Sequence, residues 1–458
     1  MKKIFIYFLF VFTTCNLFSQ ELKRLSLKGF ARTNLTSQMA DTLGLKNTEG
    51  VYVQKIIPGT IAEILKLQVG DVLIKINSTV IKDKSDILKP ELKIREGEMV
   101  TYTVIRKKKE LILKCKANAA PYETSTKLKV FYSSFKFQTG LIRSIFLIPK
   151  TSGKKPAILF IPGYPCESID NLFDDHPYKK LVYGLAEKGY VVMRAEKPGV
   201  GDSYNTPDCY SINFKTEVES FNEALKALKK NPEVDTNNIF VLGHSMGGME
   251  APYVAAGSNV KGIIVMGITM KPWLEYLTEM IRVQNPNLGI DYITTEKDLK
   301  LYESLLYELL VKKKKPSEMI AQNPEYSRLL KRDFNYSGGD DFLTRDIVFS
   351  QTLNEINITS AWANTTAKVL SAWGETDIQT LSDFSHRELV KIVNTYHPNN
   401  ATFLQLKATD HNLMLIPTIE ESYKRNAMGT IRSIFAKSFN YQIIEEFDKW
   451  MQNVISNK

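Results

Sequence analysis

The run Asn238-Ile239-Phe240-Val241-Leu242-Gly243-His244-Ser245-Met246-Gly247-Gly248 sets a serine where its hydroxyl can act as a nucleophile. An apolar stretch enters a G-x-S-x-G pattern, and the residues beyond it can start a helix. A strand that turns so sharply into a helix forces the serine between them into a strained backbone conformation with its hydroxyl exposed. Gly243 and Gly247 suit that turn, because bulkier residues would collide with neighbouring elements. Such a serine attacks acyl carbonyls once a base takes its proton and N–H groups hold the developing oxyanion. A chemically idle Gly/Ser loop would explain the bare five-residue pattern, but not the strand before it and the helix after it.

With that context the chain resembles the α/β-hydrolase superfamily, whose catalytic residues follow in the order Ser, acid, His. Of the five histidines, His176 precedes Ser245, and His244 lies inside the motif. His386 sits in the helix-like stretch Ser382–Asn394, and His397 comes before the strand at Phe403. His411 ends Leu406-Lys407-Ala408-Thr409-Asp410-His411, where the family places its base on a loop beyond the last core strand. The resemblance implies Asp377 as the acid, in Val369-Leu370-Ser371-Ala372-Trp373-Gly374-Glu375-Thr376-Asp377. Glu375 and Asp410 compete for that role; the first sits too near the strand end, and the second adjoins the base. The implied oxyanion donors are the N–H groups of Met246 and of Tyr164, in Pro162-Gly163-Tyr164-Pro165; Pro165 has no N–H to offer. Many members carry His-Gly where this chain has Pro162-Gly163. Lys197-Pro198-Gly199-Val200-Gly201-Asp202-Ser203 matches the family's turn after its fourth strand and lacks the G-x-G-x-x-G spacing of a dinucleotide loop, so no cofactor is expected there. Cys166 and Cys209 follow these two loops and are placed to meet in a disulfide that stiffens the oxyanion loop, a matter for geometry to decide.

The elements that must hold these residues are legible as an α/β pattern. Ala157–Ile161, Val191–Met193, Ile239–Leu242 and Ile263–Met266 are continuous apolar runs, expected of parallel strands covered on both faces. Val218, Phe221, Leu225 and Leu228 form a helical stripe between two of them. The alternation predicts a doubly wound sheet over 119–458, with Val130–Phe137 and Leu141–Ile148 leading in and a closing helix around Tyr441–Val454. It breaks at about Lys271 and resumes at Val369. The stretch between, about 271–367, reads as a helical lid, with Trp273 and Tyr276 available to its pocket or its core.

Residues 22–118 read as a small β-rich domain, with strands at Val51–Val53 and Val72–Ile76, a helix over Lys84–Ile94 and a strand at Val100–Arg106. Leu35 to Leu45, Gly50-Val51-Tyr52-Val53, Pro58-Gly59-Thr60-Ile61-Ala62-Glu63 and Val69-Gly70-Asp71-Val72-Leu73 occur in that order and resemble the PDZ domains of bacterial periplasmic proteases. The resemblance implies capture of a peptide C-terminus as an added strand, with Gly29, Phe30 and Ala31 in the carboxylate loop. Ala31 replaces a usual glycine, so a purely structural module is the alternative. Ala117 to Ala120, before Pro121, reads as a small-residue linker between domains expected to fold separately.

Lys2-Lys3 followed by the apolar run Ile4 to Phe12 and a polar zone ending at Gln20 has the form of a signal peptide, 1–19, which points to a secreted or periplasmic protein. An uncleaved anchor or lipidation at Cys15 is the alternative, but Phe12-Thr13-Thr14 is a poor match to a lipobox, and no later stretch is apolar enough to span a membrane. The net charge of +10 comes from scattered lysines without an aromatic-interleaved stripe, so nucleic acid is not an expected partner. No metal or organic cofactor is expected. The expected function is hydrolysis of carboxylic esters of small-molecule or acyl substrates; a serine peptidase and a non-catalytic PDZ peptide binder are the alternatives.

Overall fold

The computed structural model describes residues 22–88, 93–427 and 438–456. The expected signal segment therefore lies outside the described residues, as does the middle of the helix expected over Lys84–Ile94. Only a 3₁₀ turn, Asp86–Leu88, is seen of that helix.

The first sheet is antiparallel, in the order β1-β2-β3-β5-β6, from Phe30–Asn34 (β1), Val51–Ile56 (β2), Val72–Ile76 (β3), Met99–Arg106 (β5) and Lys109–Lys116 (β6). The short β4, Thr79–Val80, pairs with β3. Helices Ser37–Leu43 (α1) and Ile61–Ile64 (α2) accompany it. Val51, Val53, Leu73, Ile76, Val100, Tyr102 and Val104 alternate inward and build a separate core.

The second sheet has eight strands in the order β16-β15-β12-β11-β9-β10-β8-β7. Leu128–Phe137 (β7) and Gly140–Pro149 (β8) form its antiparallel edge. Lys155–Ile161 (β9), Val191–Ala195 (β10), Val234–His244 (β11), Gly262–Met266 (β12), Lys368–Gly374 (β15) and Ala401–Leu406 (β16) run parallel. Their continuous apolar runs are explained by helices on both faces. Phe214–Lys229 (α4) and Met246–Ala255 (α5) cover one side, and Pro177–Glu187 (α3) with the closing helix Gln442–Ser456 (α14) covers the other. Val218, Phe221, Leu225 and Leu228 of α4 are all buried, as their spacing requires.

Between β12 and β15 the chain leaves the sheet. It forms Trp273–Asn287 (α6), Tyr292–Leu306 (α7), a π-helical turn Tyr307–Val311, Pro316–Gln322 (α8), Glu325–Asp333 (α9), the two-residue strands Asp341–Phe342 (β13) and Arg345–Asp346 (β14), Ile347–Asn354 (α10) and Ile358–Ala363 (α11). This insertion shares one apolar core with the α4–α5 face of the sheet, through Leu277, Leu306, Phe349 and Trp362 among others. Phe384–Tyr396 (α12) and Ile419–Ala427 (α13) flank β16. Among the described residues no helix is long and apolar enough to cross a membrane.

The join between the two sheets departs from the plain linker that its small residues suggest. Ala117 and Ala120 are buried, and the Ala120 N–H donates to the Leu25 carbonyl. Arg24, wholly buried, donates to Asp202 at 2.8 Å, to the carbonyls of Ala120 and Pro121, and to Asp170, with Tyr122 and Tyr132 rings each 4.7 Å away. Arg95 donates to the carbonyls of Asp202 and Ser203, each at 2.9 Å. Sequence patterning misses this bolt because isolated arginines and aspartates carry no periodic signal.

Candidate active site

Every residue the sequence singled out for catalysis lies just beyond the C-terminal end of a parallel strand: Tyr164 after β9, Ser245 after β11, Asp377 after β15, His411 after β16. An open parallel sheet gathers its loops at that edge.

Ser245 has φ 55° and ψ −123°, a conformation costly for a residue with a Cβ. The strain is held by close packing. A Cβ on Gly243 would lie 2.3 Å from the Gly247 carbonyl oxygen, and one on Gly247 would lie 2.2 Å from that of Ile161. Met246 opens α5, where its N–H has no partner within the helix. Gly163 packs directly beside the serine: a Cβ there would sit 3.2 Å from Ser245 Cβ.

His411 Nδ1 and Asp377 Oδ2 are 2.9 Å apart. The other oxygen, Asp377 Oδ1, accepts the N–H groups of Gln379 at 2.8 Å and Thr380 at 3.1 Å, which fixes the carboxylate plane. Burial works against charge on both groups. Mutual attraction overcomes it: Asp377 is held below the usual carboxylate range, and His411 is raised above its ordinary value by Asp377 and, less, Asp410. The competing acids point elsewhere. Glu375 accepts from Gln405 and the Ala408 N–H, and Asp410 accepts from the Met414 N–H, with burial pushing its pKa up to about 6.

Residues that pattern reading passed over complete the geometry. Gly267, at φ 72°, leaves room for His411, since a Cβ there would come within 2.8 Å of its ring. His244, noted only as a position inside the motif, joins two loops. The Gly163 N–H donates to Tyr178 Oη at 3.2 Å, that hydroxyl meets His244 Nδ1 at 2.7 Å, and His244 Nε2 meets the His411 carbonyl at 2.9 Å. A carbonyl can only accept, so Nε2 carries the proton, Nδ1 accepts, and Tyr178 donates to it. Burial, with His411 nearby, drops the His244 pKa to about 3 and keeps the ring neutral. Tyr178 carries no sequence signal for this role, whereas a histidine between glycine and the serine does.

Cys166 and Cys209 are joined in a disulfide with Cα atoms 5.9 Å apart, and Cys115 is free and half-buried. In the first sheet's domain, Gly29 has φ 77°, and a Cβ there would collide with Thr60. The Phe30 side chain is buried against Tyr102 in the domain core, while Ala31 is exposed beside a bulge in β1.

A cavity of about 320 Å³ opens on Ser245 and His411, lined by Tyr164, Met246, Met249, Ile268, Trp273, Tyr276, Leu277, Met280, Leu343 and others. No Asp, Glu, Lys or Arg lines it among the described residues. A second cavity, about 700 Å³, meets it at Pro165, Gln379 and His411, and is lined by Glu167, His176, Tyr178, Asp410 and Asn412 among others. No group of three or more His, Cys, Asp or Glu among the described residues is placed to hold a metal ion.

Comparison with known proteins agrees with this architecture. A family model described as serine aminopeptidase, S33, matches residues 175–348, and one for the PDZ domain matches residues 31–116. Esterase EstD of Thermotoga maritima is 29% identical over 159 residues, 34% of this chain and 37% of that protein. A probable periplasmic serine endoprotease, DegP-like, of Bartonella henselae is 30% identical over 100 residues, 22% of this chain and 20% of that one. The chain thus spans well under half the length of these curated relatives. Among solved structures, Est1E of Butyrivibrio proteoclasticus with ferulic acid bound is 15% identical, with a TM-score of 0.41, covering 66% of this chain and 99% of that one. The strand order, the matched family models and the esterase relative together show an α/β-hydrolase fold with a PDZ domain ahead of it.

Proposed function

We propose that the protein is a secreted or periplasmic serine hydrolase that cleaves carboxylic esters. The observation that carries this reading is that His411, 2.9 Å from Asp377, lines the same cavity as the strained Ser245. Ser245 Oγ attacks the acyl carbonyl as His411 takes its proton; His411 returns that proton to the leaving group, and Asp377 steadies the imidazolium. The N–H groups of Met246 and Tyr164 receive the oxyanion. Water then repeats the sequence on the acyl-enzyme.

The neutral lining of the smaller cavity favours an uncharged acyl group over an aminoacyl one. A free α-ammonium placed there would lose its hydration without gaining a carboxylate partner. The leaving group, protonated by His411, has the larger and more polar cavity beside it. The insertion roofs the acyl cavity with Trp273, Tyr276, Leu277 and Met280, the work of a lid. The S33 family model and the PDZ domain support a peptidase as the second reading.

A fluorophosphonate probe should label the wild type and not Ser245→Ala, and that variant should lose turnover of p-nitrophenyl esters by several orders of magnitude while staying folded. Retained turnover in pure, folded Ser245→Ala overturns the reading. Faster cleavage of aminoacyl p-nitroanilides than of matched esters moves it to the peptidase.

A further inference from the structure

Beneath the oxyanion loop lies a buried chain of charges that the reaction as described does not use. Lys197 is 1% exposed, Glu217 0% and Arg345 1%. The Lys197 ammonium donates to the Gly163 carbonyl at 2.7 Å and to the Tyr164 carbonyl at 3.1 Å, and pairs with Glu217 Oε1 at 2.7 Å. Glu217 Oε2 accepts from Arg345 at 2.8 Å. Arg345 belongs to β14, within the helical insertion. Its guanidinium lies 4.6 Å from the Tyr164 ring and 4.2 Å from that of Phe349, and donates to the disulfide sulfur of Cys209 at 3.1 Å.

A trans peptide is planar, with its C=O and N–H pointing in opposite directions. Drawing the Gly163 carbonyl down onto Lys197 therefore turns the Tyr164 N–H of the same peptide away from Lys197. Gly163 packs against Ser245, and Tyr164 lines the Ser245 cavity. We propose that Lys197 is a positioning residue that aims the Tyr164 N–H at the oxyanion, and that Glu217 and Arg345 tie this aim to the helical insertion. The inference rests on Tyr164 being an oxyanion donor, as proposed above.

Burying an ammonium against two carbonyls and a carboxylate is costly unless every partner is in place. A purely structural role for Lys197 is therefore the rival account, and the test must separate the two. Lys197→Met removes the grip on both carbonyls but leaves Glu217 short of one partner; Lys197→Met/Glu217→Gln removes that stranded carboxylate charge while an amide oxygen can still accept from Arg345, and should recover part of the stability if packing is all that is at stake. The readouts are kcat and KM on a p-nitrophenyl ester, the affinity of a trifluoromethyl ketone of the same acyl chain, and the unfolding midpoint. Loss of one oxyanion donor lowers kcat by about a hundredfold or more. We expect a loss of that size in the double variant, with KM within about threefold of wild type, as an interaction made only in the transition state requires. Ketone binding should weaken in parallel even where the unfolding midpoint recovers. Arg345→Met, with Lys197 intact, should show the same split on a smaller scale. A folded double variant with wild-type kcat and ketone affinity overturns this inference and leaves the triad standing. Active Ser245→Ala protein instead overturns the triad reading, and this inference with it.

Discussion

Asp377 carries more than one duty, and its substitution separates them. Its Oδ2 holds the His411 ring while Oδ1 is occupied by two backbone N–H groups. Asparagine can keep the shape but offers the imidazole the wrong tautomer, so kcat of Asp377→Asn should fall on the order of 10⁴-fold. The pH profile has a definite sign. His411 must be neutral to accept a proton, and Asp377 raises its pKa against a burial that lowers it. Without the carboxylate the opposing burial dominates, so the acid limb of residual kcat should move to lower pH. A limb that stays put, or a matching loss in Glu375→Gln with Asp377→Asn active, would show that the acid is elsewhere.

At the scale of elements, the loop after β9 that carries Gly163 and Tyr164 is held from three sides. Lys197 comes from the turn after β10, Arg345 from the insertion, and the Cys166–Cys209 disulfide fastens the loop to the segment before α4. Closing a loop of this sequence separation, 43 residues, stabilises by about 4 kcal/mol on a chain-entropy estimate. Cys166→Ser/Cys209→Ser protein should therefore unfold at clearly lower denaturant than the wild type, and reductant should lower the wild-type midpoint toward it without changing the variant. Equal midpoints for oxidised and reduced wild type would refute the contribution. Non-reduced peptide mapping should recover the bridge, with Cys115 as the free thiol.

For the whole molecule, the PDZ domain is fastened to the hydrolase through the same turn that carries Lys197. Asp202, five residues on, takes Arg24, the Leu25 N–H and Arg143, and its carbonyl takes an Arg95 N–H. Removing the first domain strips partners from buried Asp202 and half-buried Asp170. Removing one partner of a buried pair typically costs about 3–5 kcal/mol. Arg24→Ala should lose stability of that order, and a chain beginning at Ala119 should unfold earlier than one that keeps the first domain and should lose small-ester kcat/KM. A truncated protein with wild-type stability and kcat/KM would show that the two domains are energetically independent, as the small-residue join suggests in sequence.

The sequence by itself determined what is local and periodic. Apolar runs fixed which segments become buried parallel strands, and the glycines around Ser245 fixed a turn that only small residues can form. The order of residues along the chain, with the family resemblance, led to Asp377 and His411, because loops at one edge of a parallel sheet inherit their positions from strand order. What the sequence could not show depends on groups brought together from distant positions. Tyr178 and His244 meet across 66 residues, Glu217 and Arg345 across 128, and Arg24 and Asp202 across 178. Isolated polar residues leave no periodic trace, and their meaning is set by burial. Once water is excluded, each must find a partner, and only the tertiary structure decides which one.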